Sequence, residues 1–215
     1  MKVNKLLLSV LILSFIGVIG ILPSLPHLVP LHWNIEGKID NWGSKYWMIL
    51  LGSLPLLSYG LFFLVPKFDP RRESYEKHEK AYQIFITVFS LFMVFLVWLT
   101  IGVALKYPVN VPLVVCFGMG ILFFVIGNYM GQIRPNYTFG IKTPWTLASE
   151  TVWKKTHRLG GILFILNGLF MMIAPFIALQ FAFYGMFIFA IGSTIYLFGY
   201  SYYLYQQETK RKLEK

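Results

Sequence analysis

Two polar blocks in an otherwise apolar chain hold residue types that could do chemistry. The first, LPHLVPLHWNIEGKIDNWGSK (Leu25–Lys45), gathers His27, His32, Glu36 and Asp40 in one short stretch. Imidazoles and carboxylates are what a zinc site or a general acid–base pair requires. His32, Glu36 and Asp40 would line up on a helix, but Gly37 and two tetrapeptides speak against one. Asn34-Ile35-Glu36-Gly37 and Asp40-Asn41-Trp42-Gly43 each fit a type I turn with glycine in fourth place. No zinc-ligand spacing is met. The second block, IKTPWTLASETVWKKTHRLGG (Ile141–Gly161), offers Ser149 and His157 as nucleophile and base. No acid is placed to orient that imidazole, and no glycine-flanked nucleophile appears. The expectation is a protein without catalytic residues, cofactor or metal. The competing class is a membrane-bound enzyme, metal-assisted through His32, Glu36 or Asp40, acting on an envelope substrate through the first block.

The elements that carry these blocks follow from composition. Hydrophobic residues make up 57% of the 215, charged residues only 13%, and mean hydropathy is +0.63. Soluble domains carry about 25% charged residues, so lipid is the implied solvent. Cys116 is the single cysteine, which excludes an intrachain disulfide. Six stretches, 6–22, 46–65, 84–105, 111–130, 159–179 and 182–204, are long enough to cross about 30 Å of hydrocarbon and contain no Asp, Glu, Lys, Arg or His. The expected fold is an all-α membrane protein of six transmembrane helices. The first stretch exceeds a usual signal-peptide apolar core and lacks a small-x-small cleavage site, so it is expected to be retained. Most prolines fall between spans; Pro55 and Pro175 lie within two of them.

Cations set the direction. Sixteen of the nineteen Lys and Arg lie at the two ends and in loops 66–81 and 131–158, leaving Lys38, Lys45 and Lys106 in the alternate loops. The positive-inside rule then puts both termini in the cytoplasm and loop 23–45 outside. The net charge of +10 is a topology signal, and direct nucleic-acid binding is not needed to explain it. Trp33, Trp42 and Trp47 fall at the outer boundary, Trp145 and Trp153 at the inner one, and Trp98 is deep.

Glycine spacings suggest helix seams: Gly120, Gly127 and Gly131; Gly161 and Gly168; and Gly185, Gly192 and Gly199. Asn128 and Asn167 are expected to hydrogen-bond between helices. In the second block, Thr143 before Pro144 reads as an N-cap, and Ser149 before Glu150 as another. Residues 149–158 are therefore expected to form an interfacial helix running into the fifth span. Glu150 and Lys154 would pair, Trp153 and His157 would share a face, and both tryptophans would sit at headgroup level.

The segment GNYMGQIRPNYTFGIKTPWTLASETVWKKTHRLGG (Gly127–Gly161) resembles the signature of the SdpI family of bacterial membrane proteins. The first block resembles the DUF1648 segment that precedes it in many members. Lys142 stands where the family often has Arg. The resemblance implies immunity to a small secreted toxic peptide at the bacterial plasma membrane, together with recruitment of a cytosolic transcriptional repressor. Partners would be lipid, the peptide and that repressor. Outer recognition is expected at Pro30, His32, Trp33, Asn34, Gly37 and Asp40. An inner signature surface is expected at Asn128, Asn136, Gly140, Thr143, Pro144, Trp145, Thr146, Trp153, His157 and Arg158. Three parts are expected: 1–65, DUF1648-like with the outer loop; 66–110, a basic cytoplasmic loop and the third span; and 111–215, the SdpI-like core with signature loop 131–158.

Overall fold

The computed structural model describes residues 3–214; the cations expected at Lys2 and Lys215 lie outside them. In chain order the elements are α1 (Lys5–Ile21), β1 (Leu28–Trp33), β2 (Ile39–Ser44), α2 (Trp47–Phe68), α3 (Ser74–Lys77), α4 (Glu79–Ala104), α5 (Val111–Met130), α6 (Pro144–Ala148), α7 (Glu150–Ile173) and α8 (Leu179–Leu213). Among the described residues six helices are long and apolar enough to cross a membrane: α1, α2, α4, α5, α7 and α8. The chain is a mostly helical, multi-pass membrane protein, as its hydropathy implies.

Helix starts follow local chemistry. Asn4 accepts from the Leu7 N–H at 3.1 Å, and Asn110 from the Leu113 N–H at 3.2 Å. One proline expectation is corrected: Pro66, expected between spans, lies inside α2, while Pro175 falls within the fifth span as expected, in the 3-10 turn Ala174–Phe176 that closes it. Pro66 cannot bond the carbonyl of Phe62, and the Tyr82 hydroxyl of α4 donates to that oxygen at 2.8 Å instead.

The exception to an all-α build is a hairpin between α1 and α2. Gly37 donates to the Asn34 carbonyl at 2.9 Å, closing the first expected turn, with Gly37 at φ +77°. The second expected turn is not formed. Trp42 and Gly43 lie in β2, paired with Pro30 and Val29, because the strand ladder takes the backbone groups a turn would need. The hairpin is pinned at its base. Val29 and Leu25 are buried with Val18 of α1, Met48 of α2, and Val97, Ile101 and Ala104 of α4. Trp98 is also explained, since its indole N–H donates to Ser14 of α1 at 2.9 Å.

The α5–α7 seam is backbone on backbone. A Cβ built at Gly127 would lie 2.7 Å from the Gly161 carbonyl oxygen, and one at Gly168 would lie 2.6 Å from that of Gly120. The glycines of α8 are different. Gly185 receives the ring of Phe170, but Gly192 and Gly199 have nothing within 4 Å. Their identical spacing therefore does not mark a seam within this molecule.

Candidate functional site

The hairpin end holds an apolar pocket of about 270 Å³. Trp33 and Ile35 of the hairpin, Val111 and Met119 of α5, and Phe183 and Met186 of α8 wall it, with His32 and Asn34 also lining it. The expected outer residues divide into ring and rim. Pro30 is buried in β1, and Asn34 shapes the tip by accepting from the N–H groups of Glu36 and Lys38, each at 3.0 Å. A Cβ on Gly37 would meet the Pro112 ring at 3.1 Å, so the bare glycine lets the tip rest on α5. His32 and Asp40 pair at 2.6 Å through Nδ1. Glu36 turns instead to Lys38 at 2.8 Å, so the three groups that could have shared one metal or one proton do not converge.

At the opposite end the second block folds as its caps imply. Thr143 and Thr146 form a reciprocal capping box with Pro144 in the first turn of α6, and the Ser149 hydroxyl accepts from the Val152 N–H at 3.2 Å. Glu150 and Lys154 pair at 2.9 Å. The helix begun there continues without a break through Ile173.

The expected inner surface is largely an interior, which corrects the headgroup placement of Trp153. Trp153 and His157 are 0% exposed and stack with ring centroids 4.1 Å apart. The Trp153 indole donates to the Ile133 carbonyl at 2.8 Å. His157 accepts from the Ile141 N–H at Nε2, 2.9 Å away, which leaves its proton on Nδ1, directed at the Trp153 carbonyl. Gly140, at φ +113°, makes room for this: a Cβ there would lie 2.4 Å from Nε2. Asn136 is also buried, donating to the Arg134 carbonyl and accepting from the N–H groups of Thr138 and Phe139. Tertiary folding of loop 131–149 over the start of α7 covers these residues, a contact that no local pattern announces.

Thr143 bonds Ser201 of α8 at 3.0 Å, Ser149 bonds Glu208, and Trp145 packs on Phe198 and Tyr202. Lys142 donates to the carbonyls of Tyr137 and Thr138 and so is not aimed at an anion. Asn128 is exposed and bonds its own helix at Phe124, not a neighbour. Asn167 is buried, and its Oδ1 has no partner. The block's charged residues, Lys142, Glu150, Lys154, Lys155 and Arg158, are all exposed.

Residues outside the expected set organise this end. Asp69, just past α2, accepts from the N–H groups of Arg71 (2.8 Å) and Tyr137 (3.0 Å) and from the hydroxyls of Thr138 (3.0 Å) and Tyr75 (3.2 Å). Burial pushes its carboxyl upward, but these donors outweigh it and hold the group below the usual carboxylate range. Tyr75 also touches the Thr138 hydroxyl, and burial raises its phenol to about 12. The Asp69-Pro70 dipeptide after a span is a turn signal and the one sequence hint of this knot.

His78 is buried beside it and accepts from the Arg134 N–H at 3.2 Å. Burial first, then the nearby Arg134 charge, lowers its pKa to about 4, against a smaller opposing pull from Asp69. An unfolded histidine titrates near about 6.5, so the folded state disfavours the proton between these values. Stability from this group is full above the unfolded value and fades as pH falls towards about 4. The melting temperature in detergent is expected to drop across that interval, and His78→Asn, which keeps an acceptor for Arg134, to flatten the drop. An unchanged profile in the variant would refute the assignment.

Comparison with known proteins agrees with this layout. Residues 132–201 match the SdpI/YfhL protein family, and residues 9–57 match the domain of unknown function DUF1648. The Immunity protein SdpI of Bacillus subtilis (strain 168) is 28% identical over 177 residues, spanning 82% of this chain and 83% of that protein. No solved structure matches. The loop that buries Trp153 and His157, the whole of α7 and the first part of α8 lie within the stretch that matches the SdpI/YfhL family, and the DUF1648 match lies ahead of it in α1, the hairpin and α2.

Proposed function

We propose that this chain is a plasma-membrane immunity and sensor protein that protects its bacterial host from a small secreted toxic peptide. The observation that carries the reading is the apolar pocket roofed by the hairpin, in a chain similar to a protein named for immunity. At about 270 Å³ the pocket is smaller than a site for a whole drug-sized ligand (about 300–1,000 Å³), so it suits one or two anchoring apolar side chains. Capture there keeps the peptide from permeabilising the bilayer. The asymmetry of cations supports placing the hairpin outside and both termini in the cytoplasm. The parts divide accordingly: 1–65 supplies the hairpin, 66–110 the basic loop and its span, and 111–215 the core. A cytosolic repressor would meet the outward cations Lys154, Lys155 and Arg158, since Trp153 and His157 are covered. No step of this mechanism is catalytic.

Expression in a toxin-sensitive host tests the reading, with membrane levels checked by immunoblot. The wild type is expected to restore survival. Trp33→Ala removes an aromatic anchor of the kind worth more than about 2 kcal/mol, and should lower the protective toxin dose at least about tenfold. No protection by the wild type would sink the immunity reading, and full protection by Trp33→Ala would sink the pocket's part in it.

A further inference from the structure

The end of the bundle opposite the hairpin carries a polar cleft of about 420 Å³ that the immunity reading does not use. Two loops build it by docking. The Arg71 guanidinium donates to the Leu147 carbonyl at 3.3 Å and lies 4.9 Å from the centre of the Tyr137 ring, while Arg134 is tethered through its backbone to His78. Into the cleft come Arg71, Lys77 and Arg134, with the Ser74 hydroxyl beside them. Its one carboxylate, Glu150, is engaged by Lys154 at 2.9 Å. A second cleft of about 590 Å³ shares Arg71, Ser74 and Lys77 and adds Lys67 and Arg72 together with the carboxylates Asp69 and Glu73, so a larger share of its positive charge is offset.

Position matters as much as charge. The cleft lies where α2 ends at Phe68, α4 begins at Glu79 and α5 ends at Met130, so it opens at the level of lipid headgroups. Guanidinium forks and ammonium groups gathered at that depth match a phosphate oxygen set, and basic pockets between spans are known to take anionic headgroups. Arg71 is fixed by its carbonyl bond and ring contact, so part of the ordering cost is met before any ligand arrives.

We propose that this cleft binds the phosphate of an anionic phospholipid, with Arg71 as the fixed donor and Lys77 and Arg134 closing on the headgroup. The site is independent of the hairpin pocket. The full chain would be reconstituted in vesicles of equal phosphatidylglycerol and phosphatidylcholine, extracted gently and weighed intact by native mass spectrometry. Preferential retention of phosphatidylglycerol is expected. The double variant Lys77→Gln/Arg134→Gln should lose that preference by at least about tenfold, at about one kcal/mol per cation near the surface. Arg134→Lys, which keeps the charge, should retain most of it and controls for folding. Equal retention of the two lipids by the wild type, or an undiminished preference in the double variant, would overturn the proposal. Displacement of the lipid by millimolar inorganic phosphate would assign the site to a soluble anion. Loss of an acidic protein partner in the double variant, with lipid preference intact, would assign it to a protein.

Discussion

A single methyl group added at Gly127 or Gly168 is expected to break the contact between α5 and α7. The atoms that the new Cβ would meet are mostly backbone: the Gly161 carbonyl oxygen at 2.7 Å and Ile165 N at 2.8 Å for Gly127, and Gly120 O at 2.6 Å and Phe124 N at 2.7 Å for Gly168. A side chain can swing aside, but a helix backbone must translate. Overpacking typically costs about 1–3 kcal/mol, and immobile neighbours put these two positions at or above the top of that range. Without a hydrophobic force between helices in lipid, close approach is what holds the pair, so the loss is not recovered elsewhere. Gly127→Ala and Gly168→Ala should lower the melting temperature in detergent and the steady-state membrane level. Gly192→Ala and Gly199→Ala, with open space around them, should be neutral or slightly stabilising through helix propensity. If all four variants melt alike, the seam has been misplaced.

The second large effect is expected at Asp69. Asp69→Ala would strip the acceptor from two backbone N–H groups and two hydroxyls, and a buried donor left unpaired costs about 1–3 kcal/mol. Even with water reaching some of them, a loss of roughly 3 kcal/mol is the floor. Asp69→Asn keeps one carbonyl oxygen and should fall between the wild type and alanine. Because the donors lie on both loops, trypsin should cut the 131–149 loop of Asp69→Ala faster while the hairpin stays protected. Equal cleavage in wild type and variant would remove Asp69 from this role.

Some of this arrangement could be read from residue order, and the remainder depended on which surfaces meet. The spans, the Asn34–Gly37 turn and both helix caps are local: each rests on a few consecutive residues whose backbone preferences agree. The glycine repeats were equally visible in α5, α7 and α8, yet only the first two face each other, because a period reports a stripe and not its partner. Trp153 and His157 have the composition of a headgroup anchor and become core when a loop 16 residues upstream donates Ile141 N–H to His157. Asp69 has its Tyr137 and Thr138 donors 68 and 69 positions away, beyond any local pattern.

Helix α8 runs 35 residues without interruption, from the pocket wall at Phe183 and Met186 to Ser201 and Glu208, which are tied to Thr143 and Ser149. From Met186 to Glu208 the rise is about 33 Å, more than the hydrocarbon core is thick. A strut of that kind has no joint in which a push could dissipate. A tilt of its far end would move the threonine cap and the serine cap together, because both are bonded to the same helix.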